Sequence, residues 1–95
     1  MELDVRIVQE LRHLARDGVP SSQILQHLEH RLQQDFSRLL AVAYLREAFF
    51  LSLRDAMTVG ASGIFPDGGW ADADLNSEMT RVMHRTRHLW EDERS

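Results

Sequence analysis

An all-α fold, a small four-helix bundle with a long glycine-rich loop before its last helix, is what this chain predicts. Three observations carry that expectation. Apolar residues recur at three- and four-residue spacings through four stretches. Helix-stopping and helix-starting residues punctuate the chain between those stretches. Four of the five glycines and one of the two prolines fall together in a single segment before the last stretch. At 95 residues and 43% hydrophobic content, the whole reads as one domain over 1–95.

The first helix is expected over 2–17, where Leu3, Ile7, Leu11 and Leu14 form one apolar stripe with Val8 and Ala15 beside it. Asp17-Gly18 stops it, because glycine takes the left-handed conformation at little cost. Pro20-Ser21-Ser22 opens a second helix over 20–34, with Ile24, Leu25, Leu28 and Leu32 inward and Gln23, Gln26, His27 and His30 outward. The third, over 36–57 with Asp35 or Ser37 as its cap, is apolar nearly all round, as expected of a central helix or a dimer interface. Phe49-Phe50-Leu51 looks surplus to a monomer core, so a homodimer is expected. A last helix over 73–91, capped by Asp72 or Asp74, turns Leu75, Met79, Val82, Met83, Thr86, Leu89 and Trp90 inward, and 91–95 fray.

Composition removes whole classes of function. The absence of cysteine excludes disulfides, thiolate catalysis and Cys-held metal centres. Eleven arginines against fifteen acids give −4, which argues against a general nucleic-acid coat protein. The start lacks a basic segment followed by an apolar run, and the longest apolar run, 39–45, is far short of a membrane span. A cytoplasmic protein that does not enter a membrane is the expectation.

Motifs for chemistry fail one by one. His84 and His88 are spaced for one helix face, but Arg85 stands where a zincin has Glu, and Arg85 and Arg87 would repel a dication. His27 and His30 raise the same question, and both pairs read as solvated surface. Asp67–Glu78 has the length of a calcium loop, yet Gly69 and Ala71 offer no side-chain oxygen and Asp72 stands where the turn wants Gly. Gly60-x-x-Gly63 lacks the Lys and the strand of a phosphate loop. No cofactor and no metal are therefore expected, and no enzymatic activity. Residues 14–24 resemble the opening of bacterial helix-turn-helix proteins, but the second helix runs straight on through Leu28–Leu32. The alternative function, a small DNA-binding regulator, would read DNA with helix two, supported by Arg81, Arg85 and Arg87.

The segment 58–74 stands out. It is longer than the usual bundle connection and carries Ile64, Phe65 and Trp70, which a bare linker does not need. It also holds Asp67, Asp72 and Asp74 with no basic residue to oppose them. Phe65, Asp67, Trp70, Asp72 and Asp74 are the expected partner-binding residues, the aromatics as anchors and the carboxylates facing a basic partner; the alternative, which can coexist with it, is that Ile64, Phe65 and Trp70 fold back as a lid on the bundle while the aspartates cap and solubilise. His27, His30 and Arg31 are the next candidates.

Tyr44-Leu45-Arg46-Glu47-Ala48-Phe49, with Leu53-Arg54-Asp55-Ala56-Met57-Thr58-Val59-Gly60, resembles segments of small helical immunity proteins from bacterial polymorphic-toxin loci. The use of Arg to the exclusion of Lys fits a GC-rich bacterial genome. The resemblance implies a protein that binds one cognate toxin domain and neutralises it, and it supplies no binding residue of its own.

Overall fold

A computed structural model describes residues 2–91, so that all of the expected frayed end 91–95 except Glu91 lies outside the described residues. The chain is all-α, and among the described residues an isolated bridge between Ser62 and Trp70 is the sole extended pairing. The four-helix count is overturned. The described residues form six α-helices and two short 3₁₀ turns: α1 Val5–Arg16, α2 Ser21–Leu32, α3 Arg38–Phe49, α4 Leu53–Met57, α5 Asp72–Arg85 and α6 Arg87–Trp90. Of the 3₁₀ turns, Thr58–Ala61 continues α4, whereas Gln33–Asp35 follows α2 after a break at Gln33, φ 51°.

The first hairpin forms for local reasons. Asp4 caps α1 by accepting from the Arg6 amide at 2.8 Å. At the far end Gly18, at φ +82°, lets its own amide reach Ala15 O and the Val19 amide reach Leu14 O, which closes the helix with a Schellman pair. Pro20 precedes α2 as its N-cap and offers no side-chain acceptor. That acceptor comes from α5: Asn76 Oδ1 takes the Ser22 amide at 2.7 Å while its Nδ2 donates to Ser22 Oγ at 3.0 Å. The cap of α2 is thus a tertiary contact as well, joining α2 to α5.

The expected third helix breaks after Phe49. Phe50 sits in the left-handed region at φ 54°, ψ 39°, and both its amide and that of Leu51 turn back to Arg46 O. A bulky residue pays roughly 1–2 kcal/mol for that conformation, so something must hold it there. Arg12 does part of this. Its buried guanidinium donates to Ala48 O at 2.7 Å and Glu47 O at 3.1 Å and lies 5.1 Å from the Phe50 ring centroid. Thr86 Oγ1 donates to the next carbonyl, Phe49 O, at 2.7 Å. Carbonyls left without an intrahelical donor at the end of α3 are therefore met by α1 and by the α5–α6 joint. The same Thr86 bond marks where the expected last helix breaks into α5 and α6, since Thr86 has left helical geometry at φ −106°, ψ 6°.

One core results, in which α3 packs against α1, α4 and α6, and α2 packs against α1 and α5. Phe49 and Leu51 are buried, Leu40 is half-buried, and Phe50 and Leu53 are exposed. The monomer core thus takes two of the three residues that looked surplus. Among the described residues no helix is long and apolar enough to cross a membrane.

Candidate functional site

Residues 62–70 form a closed loop rather than an open linker. The Trp70 amide donates to Ala61 O at 2.9 Å and the Gly63 amide to Trp70 O at 3.1 Å, pinning the two ends together. Inside, Gly68 passes so near Ser62 that a Cβ would stand 1.7 Å from its carbonyl oxygen. Gly68→Ala must therefore open the loop, and we expect a loss of roughly 1–3 kcal/mol, the range for overpacking a tight site. Thermal melts with hydrogen exchange at the Gly63 and Trp70 amides check this, and unchanged protection contradicts the closed loop.

The expected site residues divide. Phe65 is 5% exposed and stacks on Phe36 at 5.4 Å between centroids, so it anchors the loop to the body. Asp67 is exposed and accepts from Arg38 Nη1 at 3.3 Å, while the Arg38 guanidinium lies 5.3 Å from the centroid of Phe65. Trp70 is 40% exposed, its backbone fixed and its ring half in solvent. The N-cap of α5 is Ala71, so Asp72 and Asp74 do not cap the helix. They sit exposed in its first turn, where each favours the helix dipole by roughly 0.3–1 kcal/mol.

Arg38 connects this loop to a feature that the sequence leaves hidden. Beside it, α3 and α4 enclose an open groove of about 400 Å³ lined by Leu39, Val42, Leu53 and Met57. Leu39 is 68% exposed, Leu53 51% and Met57 59%. The break at Phe50 creates the groove, because it swings α4 alongside α3 instead of continuing its axis. On α3, Leu39 and Val42 share a stripe whose next member, one turn on, is Arg46. On α4, Arg54 lies next to Leu53 and one turn before Met57. Both arginines are exposed, and neither has a hydrogen-bond or ion-pair partner among the described residues.

Elsewhere the arginines are engaged. Arg81 pairs with Glu78, Arg85 with Asp55 at 3.9 Å and Arg87 with Glu91 at 2.8 Å. Glu10 of α1 reaches the polar face of α2, where it accepts from Arg31 at 2.9 Å and contacts His27 at 2.7 Å. The Arg31 hydrogen bond, and after it that of His27, hold the Glu10 carboxyl below the ordinary glutamate range. A carboxylate held against His27 and Arg31 opposes a phosphate backbone there. His84 and His88 fall on either side of the Thr86 break, so the shared face assumed for them is interrupted. Among the described residues no three His, Asp or Glu side chains converge as a metal site would require.

A smaller concavity of about 240 Å³ lies between the α1–α2 turn and α5–α6, lined in part by Ser21, Thr80, His84, Arg87 and Trp90. Trp90 is buried and its Nε1–H has no acceptor among the described residues. Comparison of the chain with protein-family models, with curated proteins and with solved structures finds no match.

Proposed function

We propose that the chain is a non-enzymatic protein-binding module and that its docking surface is the α3–α4 groove. One observation carries the reading: three large apolar side chains, Leu39, Leu53 and Met57, stand side by side half or more exposed along a concave surface. Isolated exposed leucines are ordinary, whereas a lined-up apolar groove is a feature of helix-binding surfaces. Covering these three side chains is worth on the order of 2–4 kcal/mol before association costs. The closed loop borders the groove through Arg38 and Asp67, so the partner's contact extends toward the residues first singled out.

The partner this reading favours is a bacterial toxin domain, neutralised by masking. Support for that step is the resemblance of 44–49 and 53–60 to immunity proteins. Within those stretches Tyr44, Leu45, Ala48, Phe49, Ala56 and Val59 are core residues, while Leu53 and Met57 line the groove. DNA binding is the weaker reading, because the arginines of α5 and α6 are spent on neighbouring carboxylates.

Purification of the tagged chain from its native host tests the proposal. A protein retained at one-to-one stoichiometry, toxic when expressed alone and harmless when co-expressed with this chain, is the expected result. A retained partner without toxicity overturns neutralisation, and a chain that purifies alone overturns the binding reading.

A further inference from the structure

From the charges beside the groove we infer the chemistry of its occupant: an amphipathic helix whose apolar stripe is bordered by carboxylates. The inference rests on the groove being a partner-docking surface and deepens that reading.

Charge complementarity carries it. The protein is acidic overall at −4, yet the residues lining the groove include Arg38 and no acid. Arg46 extends the Leu39–Val42 stripe, and Arg54 stands beside Leu53 and Met57. These are the two arginines among the described residues with neither a carboxylate nor a carbonyl to bind, in a chain whose other arginines are nearly all spent on acids or helix-end carbonyls. Asp67 reaches Arg38 through an exposed contact at 3.3 Å, a pair that an incoming carboxylate can replace at little cost. The occupant therefore meets apolar side chains along its middle, the Arg38–Asp67 pair at one end and, by their places on α3 and α4, Arg46 and Arg54 near its edges.

A concave, apolar strip of this kind suits a helix laid along it, with anchors at i, i+3, i+4 and i+7. Arg38 and Arg46 are two turns apart on α3, roughly 12 Å along its axis, and matching carboxylates on the ligand would be spaced alike. A second copy of this chain is a poorer occupant. A two-fold contact through the groove brings the unpaired Arg46 and Arg54 of one copy against those of the other, with no acid lining the groove to separate them. This reverses the expected polarity of the partner, which the aspartates of 58–74 had suggested is basic.

Two labelled synthetic helices test the inference. They share one Leu stripe and differ only in whether Glu or Lys borders it, and their affinities are read by fluorescence anisotropy. The Glu peptide is expected to bind at least about tenfold more tightly at low salt, with the gap narrowing as salt is added. Arg46→Glu/Arg54→Glu, two exposed and unpartnered positions, is expected to keep the wild-type melting curve and to invert the preference. Equal affinities, an unchanged preference in the charge-swapped protein, or no binding of either peptide overturns the inference. So does sedimentation of the free chain as a dimer that Met57→Asp dissociates. Leu39→Asp/Met57→Asp separates the two levels. If it abolishes binding of both peptides while they bind wild type equally, the groove stands and the acidic chemistry falls. If binding ignores it, the groove itself is not the docking surface.

Discussion

Phe49→Ala lowers the free energy of unfolding by about 3–5 kcal/mol, the usual cost of deleting a buried aromatic ring. The ring has no exposed surface and meets Trp90 edge-on, 5.0 Å between centroids at 73°. It also occupies the last turn of α3, where the chain reverses at Phe50 and where Thr86 bonds to its carbonyl. Removing it empties the junction of three elements, and α6 loses the surface on which Trp90 packs. A domain of this size has only about 5–14 kcal/mol in total, so the variant sits near the threshold of folding. Denaturant titration checks the value, and a loss under about 1.5 kcal/mol contradicts the account of this junction.

Arg12→Ala is expected to cost about 2–4 kcal/mol. Hydrogen bonds from a charged donor contribute roughly 1.5–3 kcal/mol each, and Arg12 donates to both Glu47 O and Ala48 O. Part of that is offset, since the variant no longer strips water from a guanidinium. What remains is two helix-end carbonyls without their donors and a Phe50 ring without its cation, at a residue already in a strained conformation. Arg12→Lys keeps the charge and loses the fork, so it falls between wild type and Arg12→Ala. Hydrogen exchange should report the damage first at Phe50 and Leu51, whose amides bond to Arg46 O. A change below about 0.5 kcal/mol in Arg12→Ala shows that α3 ends without its help.

Why some elements were legible and others not follows from where their causes lie. The α1–α2 hairpin is written locally: apolar spacing shapes each helix, and Gly18 supplies the left-handed turn. The break at Phe50 has no such marker, because an aromatic residue at a left-handed position is stabilised by Arg12, 38 residues away in sequence. The break at Thr86 likewise depends on a carbonyl from α3. A faint local signal did exist in Ser52-x-x-Asp55, where Ser52 Oγ accepts from the Asp55 amide at 3.1 Å and starts α4. Reading it would have split the long apolar segment and turned Leu53 and Met57 outward. In the loop, the glycine cluster correctly signalled tight backbone geometry, but whether Phe65 or Trp70 faces solvent depended on Phe36 and Arg38.

The consequence for function is direct. A continuous third helix would have made Leu39, Val42, Leu53 and Met57 parts of one buried surface. The break makes them the walls of an exposed groove, with Arg38 at its edge. The central claim is that this surface serves a partner and contributes little to the fold.

The most direct test pairs thermal melting of Leu39→Ser/Leu53→Ser/Met57→Ser with titration of the partner that copurifies with wild type. The account predicts a melting temperature within a few degrees of wild type, since the three side chains are half or more exposed, and affinity reduced by about 100-fold or more. A variant that binds as tightly as wild type, or that unfolds before binding can be read, contradicts it.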